Sequence, residues 1–309
     1  MMKLFPNGDR VFEVVSRYDD LLTLEERQDY EPGDTLALIV PFLLLHNITE
    51  NNIATLATKA TLTGGAAELV SWLKSRDWEV FCITTTYQQY AQPVTQKLAI
   101  QAQNVACTPF PLDKLRQTLC KEDAALLRQA EQDTLTMRPF TDDDRIKQKL
   151  DDFFFKKLLG TELGRLIRQV RPVGGRRKVA ALEEFATKYR QPLSQWVVVG
   201  DSITDSRMLQ AVDGAGGLAI AFNANRYALP YATMSLASTY ISDLTEVLPL
   251  WPEGGRSGLE AAVKSREKAG GEDNQGYFHW LSGREDIDGV IELHKRIRQL
   301  VREEAGKLG

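Results

Sequence analysis

Three consecutive valines, Val197-Val198-Val199, end at Gly200-Asp201 and lead into a stretch of helical spacing from about Ser206. A short β-branched run that stops at a turn reads as a buried strand. The same alternation recurs on both sides. Residues Ala66 to Ser75 have the spacing of an amphipathic helix, Trp78 to Thr84 that of a short strand, Tyr87 to Leu98 a second helix and Asn104 to Thr108 a second strand. A helix from about Lys178 to Tyr189 precedes the valine strand. Gly217 to Phe222 supply the next strand, and Thr239-Tyr240-Ile241 are a candidate for one more. Helices alternating with short strands specify an α/β fold with a largely parallel sheet.

Two segments break the alternation. In residues 9–60, Val11, Phe12, Val15, Tyr18 and Leu22 recur at helical spacing. Tyr30-Glu31-Pro32-Gly33 is a turn, with Asp34 or Thr35 placed to cap the next helix. Pro41 marks a bend in that helix or a later start, and Thr49 with Asn52 caps another. Residues 111–170 are charged and helical, with Leu115, Leu119, Leu126, Leu127 and the Phe153-Phe154-Phe155 triplet as the apolar stripe. The triplet reads as buried packing, with a substrate-facing cap surface as the alternative. The expected organisation is an N-terminal helical cap segment (1–61), a first part of the core (62–110) and a helical insertion (111–170). A second part of the core (171–251), a Gly-rich charged linker (252–276) and a C-terminal helical segment (277–309) follow. That last segment, with Tyr277-Phe278-His279-Trp280 at its head, reads as packing on the core, with docking of a protein partner or a second copy as the alternative.

At roughly 150 residues per domain, 309 residues suit a core and a cap. The 38 basic against 42 acidic side chains leave a net charge of -4. A protein that grips a polyanion carries a basic surplus, so nucleic acid is excluded as a main partner. Cys82, Cys107 and Cys120 are odd in number and form no CxxC, which fits a reducing cytoplasm rather than a disulfide scaffold or a thiolate zinc site. His46, His279 and His294 contain no ligand-spaced pair. The longest apolar stretch, Leu36 to Leu45, is broken by Pro41, whereas a membrane span needs about twenty apolar residues. The expectation is a cytoplasmic protein without a membrane span.

The chemistry concentrates where strands end. After Val199 come Asp201 and, four residues on, Asp205. Ligands bind at the carboxyl ends of strands in parallel α/β sheets. Two neighbouring carboxylates repel each other unless a cation or a proton lies between them, and hard oxygen ligands suit magnesium. The plain alternative is that Asp201 caps the following helix. Upstream, Gly174-Gly175-Arg176-Arg177-Lys178 is a glycine turn entering a helix, where Lys178 and the helix N-terminus favour a phosphate. Thr84-Thr85-Thr86 end a strand with hydroxyls that suit a phosphoryl oxygen, although threonine runs also serve strand propensity alone. A Rossmann-type dinucleotide site is disfavoured, because Gly64-Gly65 lacks the required spacing after a strand.

In the order Thr84, Lys178, Asp201 and Asp205, these segments resemble the second, third and fourth motifs of the haloacid dehalogenase (HAD) superfamily, over roughly residues 62–250. Gly33-Asp34-Thr35-Leu36, Pro41-Phe42-Leu43 and Ala221-Phe222-Asn223-Ala224-Asn225 resemble a poorly characterised archaeal and anaerobic-bacterial branch, sometimes named as accessory subunits of energy-converting hydrogenases. The resemblance implies a HAD-like Rossmannoid parallel sheet with helical cap insertions. It also implies magnesium-dependent phosphoryl transfer from a small phosphorylated metabolite through an aspartyl-phosphate. Thr84 and Lys178 would be catalytic, Thr84, Thr85 and Lys178 phosphate-binding, and Asp201 and Asp205 metal-binding. Fixed positive charge on the phosphoryl oxygens, and a covalent intermediate that divides the displacement, supply the rate.

One motif is missing. The family's nucleophilic Asp ends an N-terminal strand, and no apolar strand ending in such an acidic motif occurs before residue 60. Asp19 and Asp20 lie in a helical pattern, and Asp9 follows a Pro-Asn-Gly turn. Asn7-Gly8-Asp9-Arg10-Val11-Phe12 resembles the stretch that follows the motif in the branch named above. The expectation is a sequence that begins after its nucleophile, or has lost it. The alternative to a phosphatase is a non-catalytic HAD-like module that binds a ligand or a partner.

Overall fold

The computed structural model describes residues 4–269 and 276–307. The chain divides into two compact units. One holds residues 1–60, 82–96 and 101–174, the other 61–81, 97–100 and 175–309.

The first unit is mainly helical. Its helices are α1 (Gly8–Leu24), α2 (Thr35–Leu38), α3 (Val40–Leu45) and α4 (Glu50–Thr58), then α6 (Gln88–Lys97), α7 (Leu112–Arg116), α8 (Lys121–Leu135), α9 (Asp143–Asp152) and α10 (Glu162–Ile167). Pro41 occupies the first turn of α3, where its missing N–H costs nothing. A full capping box between Thr49 and Asn52 opens α4. Val11, Val15, Tyr18 and Leu22 form the buried stripe of α1 and join Phe42, Leu43, Leu127, Ile146 and Leu150 in one core. A π-helical turn, Phe153–Leu158, follows α9. It buries Phe153 and Phe154, while Phe155 stays partly exposed under the Arg27 guanidinium. Two parallel strands, β1 (Cys82–Tyr87) and β2 (Val105–Thr108), belong to the same unit.

The second unit carries a four-stranded sheet of order β3-β4-β5-β6, formed by Val197–Gly200, Leu218–Phe222, Met234–Ala237 and Tyr277–Trp280. The first three strands run parallel and β6 is antiparallel. Helices α5 (Ala66–Lys74), α11 (Arg176–Tyr189), α12 (Ser206–Gly214), α13 (Trp251–Ala269) and α14 (Asp288–Lys307) accompany it. Leu218, Ile220, Met234, Leu236, Phe278 and Trp280 share a core with Leu259 and Val263 of α13. Parallel strands with crossover helices make the fold α/β with helical insertions, as the alternation requires.

Three expectations are corrected. The strand placed at Trp78–Thr84 lies at Cys82–Tyr87, where β-branched Ile83 and Thr84–Thr86 replace the mixed polar residues before it. The strand placed near Thr239 lies at Met234–Ala237. Ser238 ends it by donating to Asp243 Oδ2 (2.5 Å) and accepting from Tyr240 N. Residues 252–269, read as linker, are helical. The chain bends at Gly255 (φ 52°) and then buries Leu259 and Val263, one turn apart. The end of that expected linker, 270–275, lies outside the described residues.

Among the described residues no single helix is long and apolar enough to cross a membrane. The bent pair Thr35–Leu45 and Glu50–Thr58 has the length and composition. Its Phe42, Leu43, Leu44 and Ile53 are buried in the core of the first unit.

Candidate functional site

The carboxyl end of β3 and the amino ends of α11 and α12 meet within the second unit. Gly175 opens α11 at φ 52°, ψ -122°, a conformation suited to glycine, and its N–H donates to the Thr204 carbonyl at 3.0 Å. The turn that starts α11 is thereby tied to the loop after β3. Lys178 follows in the first turn of α11, and its Nζ donates to Asp205 Oδ1 at 2.6 Å. Both side chains are 7% exposed. Gly200 ends β3 without a side chain because a Cβ there would stand 2.5 Å from the Cβ of Asp205.

Asp205 is saturated. Its second oxygen, Oδ2, accepts the backbone N–H groups of Asp201 (3.1 Å) and Ser202 (3.2 Å) and the Ser202 hydroxyl (3.1 Å). Burial pushes this carboxyl up, but the Lys178 charge, with these hydrogen bonds, outweighs burial and holds it below the usual carboxylate range. Asp201 differs. Its side chain is 52% exposed and pairs with the guanidinium of Arg298 at 3.2 Å. Desolvation raises its carboxyl, with the charge of Asp205 adding, while Arg298 and Lys178 pull it back. Asp201 does not act as the helix cap that was the plain alternative. It is Asp205 that stands at the cap position of α12 and folds back onto the loop.

Of the expected site residues, Lys178, Asp201 and Asp205 are therefore brought together. Thr84 and Thr85 lie on β1 of the first unit, where the Thr84 hydroxyl accepts from Thr86 N (3.3 Å) and Thr85 donates to the Val173 carbonyl (3.0 Å). The aspartates before residue 60 are helical or in turns, and the first described strand begins at Cys82.

The sequence reading missed Arg298. From α14 its Nη1 donates to the carbonyls of Asp201 (3.0 Å) and Asn223 (3.3 Å), so it joins the loops after β3 and β4. One turn earlier, His294 Nδ1 accepts from Ala224 N at 2.9 Å. Burial, aided by His279, lowers His294 to about 3 and keeps it neutral. For His294, though not for Arg298, a local signal existed. Val290, His294 and Ile297 are all buried at helical spacing, and a histidine in an apolar stripe marks a specific contact.

The donor set fits a magnesium ion poorly as arranged. Asp205 is committed to Lys178 and three other donors, and Asp201 already faces a guanidinium. Among the described residues no group of three or more His, Cys, Asp or Glu is placed to hold a metal. Magnesium favours several oxygen ligands in near-octahedral order.

No family model matches the chain. Over 71 residues the sequence is 41% identical to phosphoserine phosphatase SerB2 of Mycobacterium tuberculosis, a match that spans 23% of this chain and 16% of that relative. A solved structure, gene product AF1437 from Archaeoglobus fulgidus, matches with a TM-score of 0.80 at 27% identity, over 100% of this chain and 92% of the other. The fold is HAD-like. The match to AF1437 extends through both compact units, since it covers the whole chain.

Proposed function

We propose that this chain is a HAD-type phosphatase acting on a small phosphorylated metabolite. The observation that carries the reading is the meeting of Lys178 with Asp201 and Asp205 at the carboxyl end of a parallel strand. The partial likeness to a phosphoserine phosphatase supports it. In this reading Asp205 fixes the ammonium of Lys178, and Lys178 neutralises charge on the transferring phosphoryl group. A preorganised charge in a water-poor corner stabilises the transition state without reorganising. The resemblance gives Thr84 and Thr85 the task of binding phosphoryl oxygens, and Asp201 and Asp205 that of meeting magnesium, which their present pairing with Arg298 and Lys178 does not fit. It leaves the nucleophile unassigned. Kinship with the hydrogenase-accessory branch and a cytoplasmic setting belong to the same proposal. The odd number of cysteines, none in a CxxC, suits that setting.

A second reading has its own observation. Both carboxylates of the corner are paired with cations of the same chain, as in a module that binds a phosphorylated ligand without turning it over. One assay separates the two. Phosphate release from a generic aryl phosphate, abolished in Asp201→Asn, supports the phosphatase. Calorimetric binding of inorganic phosphate with no release from the aryl ester supports the module and sinks the phosphatase.

A further inference from the structure

Strands β4 and β5 of the second unit have two unlike faces. Leu218, Ile220, Phe222, Met234 and Leu236 alternate along them with Ala219, Ala221, Ser235 and Ala237. Successive side chains of a strand point to opposite faces, so the large residues share one face and the small ones the other. The large face belongs to the core that Leu259 and Val263 of α13 close. The small face is equally buried, with Ser235 at 0% exposure. Helix α12 packs on β4, and α14 on β5. In register, Ala221 lies opposite Ser235, and Ser235 opposite His279 of β6, so the three form one row of the small face.

Polar atoms collect at that row. Ser235 Oγ, His279 Nδ1 and His294 Nε2 are buried, and none has a hydrogen-bond partner among the described residues. His294 is itself fully buried, and near enough to His279 for the two rings to feel each other's charge. Burial lowers both histidines and keeps them neutral. The His294 ring is fixed, because its Nδ1 accepts the Ala224 N–H at 2.9 Å. Its Nε2 therefore carries the proton of the neutral imidazole and must donate. Interiors pair such groups, since leaving them unpaired is costly.

We infer that one internal water molecule joins His294 Nε2, Ser235 Oγ and His279 Nδ1, and fixes the turn of α14 that precedes Arg298. The water accepts from the His294 N–H and the Ser235 hydroxyl and donates to His279 Nδ1, the usual three bonds of a buried water. The lining suits it. Two neutral rings and a hydroxyl bring no net charge, so a buried ion would stay unbalanced, whereas water both donates and accepts. The consequence reaches the corner. Arg298 follows His294 by one turn on the same face of α14 and donates to the carbonyls of Asp201 and Asn223. Held by Ala224 on one nitrogen and by water on the other, His294 is a positioning residue for Arg298. None of this depends on the phosphatase reading.

A crystal structure of the full chain with ordered solvent tests the site. One solvent oxygen within hydrogen-bond reach of all three atoms is expected. Any other arrangement, whether a direct bond between two of them or no shared solvent, overturns the inference. The sign of a stability change tests it independently. In a dry site the Ser235 hydroxyl is buried and unpaired, so Ser235→Ala would leave stability unchanged or raise it. In a wet site the substitution takes a donor from the water. The folding equilibrium constant should then fall about fivefold in urea titrations followed by tryptophan fluorescence. An unchanged or raised constant overturns the inference. In the same variant the Ala224 amide should exchange faster relative to that of Asn223, which donates to the Leu236 carbonyl within the sheet. Equal acceleration at both overturns the claim that the water holds α14. If Ser235→Ala does not fold, the wild-type crystal structure decides.

Discussion

Replacing Lys178 with methionine removes an ammonium from a buried ion pair and keeps most of the side-chain volume. Breaking a buried pair from one side costs about 3–5 kcal/mol, because the remaining charge stays in a poor solvent. Here the cost should fall at the lower end, about 3 kcal/mol, since Asp205 Oδ2 keeps two backbone N–H donors and the Ser202 hydroxyl. The pH dependence follows from the same contacts. In the wild type the Asp205 carboxyl lies below its ordinary value, so its stabilisation is present above the unfolded pKa and fades as pH falls through the folded one. Without Lys178 burial prevails and the carboxyl rises, so the variant recovers stability on acidification. The difference between the two proteins should therefore narrow as the pH falls from neutral into the acid range. All five tryptophans, Trp72, Trp78, Trp196, Trp251 and Trp280, lie in the second unit, so their fluorescence reports that unit alone. With a urea m-value of about 2 kcal/mol/M, the midpoint should drop by about 1.5 M at neutral pH. A loss under about 1 kcal/mol, or a gap that widens in acid, would refute the account of the pair.

Two further outcomes follow from the geometry. Burial raises Asp19 of α1 to about 6 although Tyr30 and Thr35 N donate to its Oδ1, so the ionised form carries a penalty above that pH. Asp19→Asn keeps the acceptor and should stabilise the first unit by up to about 3 kcal/mol near pH 8 and by almost nothing near pH 4. Slower amide exchange in α1 at the higher pH would show it, and faster exchange there would contradict it. Gly200→Ala places a Cβ 2.5 Å from that of Asp205 and should cost about 2 kcal/mol of tryptophan-monitored stability through overpacking. An unchanged urea midpoint would show that the corner gives way more easily than its geometry implies.

Much of the corner was legible because its signals are local. A β-branched run before Gly200-Asp201, a glycine turn before Lys178 and a four-residue aspartate spacing each lie within one turn or one strand. Their union across Lys178 and Asp205 is a tertiary contact, made where the Gly175 N–H bonds the Thr204 carbonyl. Helix α13 was hidden by Gly254, Gly255 and Gly258, which read as loop. Burial of Leu259 and Val263 supplies the packing that propensity lacks. The strand Met234–Ala237 is short and partly of small residues, and its pairing with both β4 and β6 rather than its composition makes it a strand. Arg298 had no local signal, since its acceptors lie 97 and 75 residues upstream. The division of roles within the aspartate pair was equally hidden. Spacing shows two acids near each other, but only the positions of Lys178 and Arg298 show that each already has a different cation.

The backbone passes from one compact unit to the other five times, at 60/61, 81/82, 96/97, 100/101 and 174/175. Neither unit is a contiguous piece of chain. A fragment ending at any of the first four crossings leaves both incomplete, and one ending at 174/175 holds the whole first unit together with 61–81 and 97–100 of the second. The first core can therefore close only after α8 and α9 are made, and the second only after β6 and α14 follow. Early segments such as α1 and α3, with their apolar stripes, wait for partners encoded far downstream. That waiting period, rather than the finished structure, is where this chain would most need the protection of chaperones.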